Sequence, residues 1–395
     1  MEFDVATWLG LALRWLHVIA GIAWIGASFY FVWLDNSLTP PDPPRPGVKG
    51  ELWAVHGGGF YHSQKYMVAP PDLPDHLHWF KWEAYTTWLS GFALLCALYY
   101  WGATVYLIDA AKAHLTQPQA IGIGLAFIAG GLGIYEGLCR SSLLQRPRLF
   151  GAIWFLTLTA AAWGLTRLFT DRGAFIHVGA IIGTAMVGNV FLVIIPNQAK
   201  IVAAMRAGTP VDPRLGEMGK LRSVHNNYMT LPVVFIMISN HAPIITGHPQ
   251  SWLLLALMSA AGVSIRHFFN RRHIGLTEPV WLILGAALFV AVSLIASGLG
   301  QPKPPPANAV AFSDVQVLVS RHCVMCHAPK PTHVGIAAPP GGVTLDTPEA
   351  IHRFAPRILT MAVVTNAMPL GNETAMTDAD RARLGAWIKA GASIP

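Results

Sequence analysis

Eight apolar runs, at about 8–33, 84–108, 120–138, 149–169, 174–195, 226–242, 251–269 and 279–298, constrain the fold of this chain more than any other feature. Each is close to the length an α-helix needs to cross ~30 Å of hydrocarbon. In lipid every backbone N–H and C=O must be bonded within its own segment, so helices are expected throughout. Composition agrees: 12% of the residues are charged, against about 25% in soluble domains. The sixth run is the weakest, because Asn226, Asn227 and Pro232 interrupt its start. The first run could also be a signal peptide. Its Met-Glu-Phe-Asp start lacks a basic region and no small-residue cleavage site follows, so a retained helix is expected.

The connecting loops set an orientation. Those after runs one, three, five and seven carry fourteen basic residues, Arg45, Lys49, Lys65, Lys81, Arg140, Arg146, Arg148, Lys200, Arg206, Arg214, Lys220, Arg222, Arg271 and Arg272. The opposite side has three, Lys112, Arg167 and Arg172. The positive-inside rule then puts both termini outside the cytoplasm. The net charge of +7 follows from this asymmetry, and no nucleic-acid partner is expected.

Residues 1–300 thus read as a membrane domain, 301–309 as a Pro-rich linker, and 310–395 as a small soluble module. The module contains Cys323-Val324-Met325-Cys326-His327. C-x-x-C-H is the attachment signature of a c-type haem, with both sulfurs bonded to the porphyrin and the histidine an axial iron ligand. A zinc site would need further ligands at short spacing, and Cys96 and Cys139 lie far upstream in apolar runs. A haem c is made outside the cytoplasm, where the loop charges independently place this module. The module is similar to class I cytochrome c domains, and that resemblance implies a second axial ligand, expected at Met368 in Ala367-Met368-Pro369, with Met361 and Met376 as rivals. His333 or His352 would lower the potential. The expected fold is therefore all-α, an eight-transmembrane-helix bundle followed by a class I cytochrome c-like helical domain.

The membrane part carries a weak internal repeat. His17-Val18-Ile19-Ala20 aligns with His177-Val178-Gly179-Ala180, Trp82-Glu83-Ala84-Tyr85 with His225-Asn226-Asn227-Tyr228, and Ile134-Tyr135-Glu136 with Ile265-Arg266-His267. Two parallel four-helix halves (4+4) are the expectation. Histidines within membrane helices are costly and usually functional. As pseudo-equivalent ligands, His17 and His177 are candidates to hold a haem b, with His241 in reserve; a helix–helix hydrogen bond is the simpler alternative. Other polar residues gather at the cytoplasmic helix ends: Glu83, Tyr85, Glu136, Arg140, Asn197, Gln198, His225, Asn226, Asn227, Tyr228, Arg266 and His267. The long first loop adds Trp53, His56, Gly57, Gly58, Phe60, Tyr61 and Lys65, with three glycines whose backbone could approach a ligand.

Three phrases carry a resemblance: Trp15-Leu-His-Val-Ile-Ala-Gly-Ile-Ala-Trp24, Trp53-Ala-Val-His-Gly-Gly-Gly-Phe-Tyr61 and Phe80-Lys-Trp-Glu-Ala-Tyr-Thr-Thr-Trp88. The chain resembles the bacterial membrane-bound urate oxidase (urate hydroxylase) family, in which eight helices precede a C-terminal cytochrome c. The resemblance implies oxidation of urate to 5-hydroxyisourate in purine breakdown, at the bacterial inner membrane with the cytochrome module periplasmic. It also implies that electrons leave through the haem to a soluble cytochrome c or terminal oxidase.

Tested against this planar anion, the polar cluster offers Arg266 as the anion clamp and His56 or Glu83 as the base. Gly57, Gly58, Lys65, Glu136, Arg140, Asn226, Asn227 and His267 are the remaining candidate binding residues. A cytoplasmic pocket and an outer haem require a carrier between them, the role expected of a haem at His17 and His177; without one, the pocket would have to open outward. A quinol-to-cytochrome c electron-transfer protein is the rival reading. A transporter is a weaker one, since it needs no tethered cytochrome.

Overall fold

The computed structural model describes residues 5–66, 69–297, 310–334 and 336–395. The Met-Glu-Phe-Asp start and the linker 301–309 lie outside the described residues. The chain is mostly helical. Helix α1 (Val5–Ser37) leads to an antiparallel hairpin, β1 (Val48–His56) and β2 (Gly59–Tyr66). Helix α2 (Trp82–Leu94) continues through a π-helical turn, Leu95–Tyr100, into the short α3 (Ala103–Tyr106). Helices α4 (Gln117–Arg140), α5 (Pro147–Leu168) and α6 (Asp171–Gly188) follow. A second π turn, Asn189–Ile194, joins α6 to α7 (Ile195–Arg206). Then come α8 (Pro213–Ser239), α9 (Pro243–Thr246), α10 (Ser251–His273) and α11 (Val280–Ala296).

Five of these helical stretches are long and apolar enough to cross a membrane: Trp8–Ser37, Gln117–Arg140, Pro147–Leu168, Asp171–Arg206 and Ser251–His273. Helix α11, at 17 residues, is shorter. The second expected span is interrupted where its helix breaks at Trp101 and Gly102. The sixth begins thirteen residues before its apolar run, in the polar segment Pro213–His225. Lys200, Arg206, Arg214, Lys220 and Arg222 are therefore helical rather than loop residues.

Helix α6 is the hub of the bundle, packed on α2, α4, α5, α8 and α10, with Phe175, His177, Ile181, Ile182 and Ala185 fully enclosed. Helices α1 and α11 lie outside, and their large apolar side chains are open, Trp15 at 70% and Ile283 at 65%. Such faces suit lipid rather than water.

The hairpin is a departure from an all-α fold. Gly57 and Gly58 both have positive φ, +57° and +81°, which is what a two-residue turn between twisted strands requires. Nothing lies within 4 Å of a side chain placed at either. They close the turn between the two strands, apart from the cavity that opens between α1, α7, α8 and α10.

In the C-terminal module, α12 (Phe312–His322), α13 (Pro348–Ile358) and α14 (Asp378–Lys389) enclose Val315, Val319, Ile351, Leu384 and Trp387. The module rests on the end of the bundle opposite the hairpin. Gly371 abuts the carbonyls of Val105 and Ile108, and Gly247 lies against the carbonyl of Thr365. A methyl group at Gly247 would collide with that carbonyl. The Gly247→Ala variant is therefore expected to loosen the module, raising hydrogen exchange at 105–108 and 365–371; unchanged protection there would show that the contact is dispensable.

Candidate functional site

A cavity of ≈690 Å³ opens at the hairpin end between α1, α7, α8 and α10. Its aromatic walls are Trp24, Phe31, Trp79, Phe80 and Tyr228, and its amides come from Asn36, Gln198, Asn226 and Asn270. Three cations, Lys65, Lys220 and Arg271, face one carboxylate, Asp35. Asp35 is shared by Lys65 and Lys220, the latter at 3.2 Å. Arg271 is paired with Glu278 at 2.8 Å, so one positive charge remains in excess, and the balance favours an anion. The size suits a small ligand.

Behind this wall lies a buried guanidinium. Arg266, 5% exposed, donates from Nε to Asn227 Oδ1 (2.8 Å) and stacks 4.0 Å over the Phe29 ring. Asn270, which lines the cavity, donates to the same oxygen at 2.9 Å. No carboxylate pairs with Arg266 among the described residues. Arg266 Nη2, Asn227 Nδ2 and Asn270 Oδ1 are buried without partners. An unpaired charge and open donors inside a membrane bundle cost several kcal/mol. Two donors, one acceptor and a positive charge without partners among the described residues are thus gathered behind the cavity wall, a set complementary to a flat anion with C=O and N–H edges.

Arg222 plays the opposite part. It forks onto Glu136 at 2.8 and 3.1 Å and reaches Asn189 at 2.8 Å. Asn189 donates to Tyr135 (2.8 Å) and Asn226 (2.7 Å), and Tyr135 meets His225 Nδ1 at 2.9 Å. This network ties α4, α6 and α8 together. With side chains 4% and 14% exposed, removing one partner strands a buried charge, at about 3–5 kcal/mol. Arg222→Met is expected to lower the detergent unfolding midpoint sharply, and the added Glu136→Gln change to restore much of it. Equal midpoints for the single variant and wild type would contradict this.

Of the residues singled out by sequence, Lys65, Asn226 and His267 line the cavity, and Arg266 and Asn227 stand at its wall. Glu136 is neutralised by Arg222, while the Arg140 side chain, 80% exposed, points away and only skirts Glu136 at 3.9 Å. His56 sits exposed at the hairpin tip, and half-buried Glu83 lies in the first turn of α2; neither lines the cavity. Arg222 and Asn189 were not singled out. Arg222 precedes the sixth apolar run and counts as a loop residue by hydropathy; Asn189, the one amide within the fifth, is the available signal.

His17 and His177 have different surroundings. His17 Nδ1 meets the Thr87 carbonyl at 2.9 Å and Ser90 Oγ at 3.2 Å, both on α2. His177, fully buried, bonds the Gly173 carbonyl through Nδ1 (2.8 Å) and the Tyr100 hydroxyl through Nε2 (3.2 Å). Gly124 lies so close to that Nε2 that a methyl group would collide with it. No room remains at Nε2 for an iron and its porphyrin. A haem b between these two histidines does not fit. Both rings act as helix-to-helix hydrogen-bond partners.

The residues of the haem c motif do fit their group. His327 Nδ1 meets the Val343 carbonyl at 2.9 Å. This fixes the tautomer that leaves Nε2 for a metal. Burial pushes the Cys323 thiol up to about 12 and raises Cys326 as well. Surroundings that disfavour a thiolate suit an uncharged thioether. Met368 packs on the module core, its carbonyl held by Arg381 Nη1 at 2.6 Å. Met376 is buried within that core, His333 pairs with Glu373 and His352 with the Ala392 carbonyl.

A family model described as "Urate oxidase N-terminal" matches residues 4–297. No curated protein and no solved structure matches the chain.

Proposed function

The chain belongs to the urate oxidase N-terminal family, and from that premise we propose that it oxidises urate to 5-hydroxyisourate in the cavity at the hairpin end. The observation that carries this reading is the carboxylate-free guanidinium of Arg266 with the unpaired atoms of Asn227 and Asn270. Urate is a planar monoanion near neutral pH, with carbonyl and N–H edges. Arg266 Nη2 and Asn227 Nδ2 would bind its oxygens, Asn270 Oδ1 would accept an N–H, and Trp79, Phe80 or Tyr228 would cover its face.

The base in this reading is His267. It lines the cavity, and its Nδ1 is held by the Tyr228 hydroxyl at 2.7 Å. In the tautomer whose Nδ1–H donates to the tyrosine oxygen, Nε2 keeps its lone pair and takes a proton from urate or from the attacking water. The exposed His56 and the distant Glu83 do not share that position. As water's oxygen bonds to C5, the purine gives up two electrons and two protons.

The module would hold a haem c through Cys323, Cys326, His327 and Met368. When bound, that haem supplies a one-electron outlet, toward a soluble cytochrome c or terminal oxidase on the outer side of a bacterial inner membrane. The haem motif and the cavity lie at opposite ends of the bundle.

The direct test is anaerobic turnover of the purified chain with urate and ferricyanide. Two ferricyanides reduced per urate, with 5-hydroxyisourate appearing in the ultraviolet spectrum, is the expected result. No consumption of urate would sink the reading.

A further inference from the structure

A second cavity, of ≈1070 Å³, lies inside the bundle between α5, α8 and α10. It extends from Pro147 to Ala162 along α5 and from Leu255 to Arg271 along α10. At 1.5 Å per residue that is roughly 22–24 Å, most of a bilayer's hydrocarbon depth. Its polar groups lie toward the hairpin end. His225 and His267 both line it, each with Nδ1 on a tyrosine hydroxyl, Tyr135 at 2.9 Å and Tyr228 at 2.7 Å, leaving Nε2 open. Trp154 Nε1 is a buried donor with no partner, and the same side chain lines this cavity. Arg148, Arg271 and Glu278 also line that end, and the remaining walls are mostly apolar, with Leu158, Ile182, Leu255 and Val263, broken by Thr159, Ser259 and Ser264.

The two cavities meet. Val224, Tyr228, His267 and Arg271 line both. One hydrogen-bonded Tyr–His pair therefore stands between an ionic cavity at the membrane face and an apolar one within it.

We infer that the second cavity binds an isoprenoid quinone as the two-electron acceptor for the oxidation proposed above, on which this assignment rests. A hydrogen-bonding head with two carbonyl oxygens matches the imidazoles and the open indole N–H, and a long apolar tail matches the channel. The balance closes: urate, water and quinone give 5-hydroxyisourate and quinol. Water's oxygen bonds to C5, and the purine's two electrons and two protons convert the two quinone carbonyls to hydroxyls. The Tyr228–His267 pair lies where those protons must pass. A phospholipid would fill the same length of channel and set its phosphate against Arg148 and Arg271, but it carries no two-electron couple. The quinone also supplies the mobile carrier that the separation of cavity and module demands.

The test uses the full-length, haem-loaded protein with an azido-quinone photolabel and decylubiquinone as competitor. Saturable labelling of 147–162 and 255–271, displaced by decylubiquinone, is expected. Ala260→Phe, which narrows the channel, should cut labelling at least tenfold with the haem spectrum unchanged. Trp154→Phe, which removes only the open donor, should weaken decylubiquinone on the order of tenfold. Labelling elsewhere, labelling unaffected by both variants, or co-purified phospholipid that decylubiquinone does not displace would each overturn the assignment. In a second arm, urate should yield one decylubiquinol per molecule anaerobically. Urate oxidised by ferricyanide without any quinone binding would sink the quinone and leave the urate reading. Specific labelling with no urate oxidation would do the reverse.

Discussion

Arg266→Ala lowers kcat/KM for urate by roughly 30- to several-thousand-fold, the equivalent of about 2–5 kcal/mol for losing one side of a buried, hydrogen-bonded charge pair. The size follows from burial. Arg266 is enclosed, stacked on Phe29 and fixed through Asn227, yet meets no carboxylate among the described residues. Only a bound anion completes it. The same argument gives a sign for the folded state: without ligand the unpaired guanidinium is a cost, so Arg266→Ala leaves the unfolding midpoint unchanged or raised. Arg222→Met, whose partner Glu136 is part of the protein, must move that midpoint the other way. Arg266→Lys keeps the charge but not the planar fork, and falls between wild type and alanine. Kinetics of the three variants beside their thermal midpoints separate a binding role from a structural one. An Arg266→Ala enzyme with wild-type kcat/KM would remove the anion clamp from the account.

Replacing both Cys323 and Cys326 by alanine abolishes covalent haem and, with it, urate-driven reduction of a soluble cytochrome c, by at least the 100-fold that loss of an essential carrier implies. Urate binding, measured calorimetrically, stays within a factor of two, because the ligand cavity lies at the other end of the bundle. Loss of both together would mean that the module shapes the cavity. Full cytochrome c reduction without covalent haem would mean that electrons bypass the module.

Much of this was legible before any coordinates. Long apolar runs leave the chain few alternatives to helices, and the mostly helical bundle follows from them; the haem proposed at Cys323-Val-Met-Cys-His327 rests on that spacing. Arg266, Asn227 and His267 stood out because charges and amides in a membrane helix need a reason. What was not legible depends on partners far away in sequence. The pairing of Arg222 with Glu136 spans 86 residues, and hydropathy had placed Arg222 in a loop. His17 and His177 look equivalent along the chain, yet one packs on α2 and the other against Tyr100 and Gly124. Gly57 and Gly58 suit both a ligand cradle and a hairpin turn, and only the pairing of β1 with β2 decides for the turn. His56 leaves the site with them. The larger cavity had no local signature, since its walls are assembled from residues of six helices far apart in sequence.

The measurement that tests the central claim most directly is an anaerobic titration of the oxidised, full-length protein with urate and a catalytic amount of decylubiquinone, followed in the haem spectrum. The account predicts that the haem c becomes fully reduced, with two haems reduced per urate consumed and 5-hydroxyisourate as the product. A haem that stays oxidised under excess urate, while dithionite reduces it normally, would contradict it.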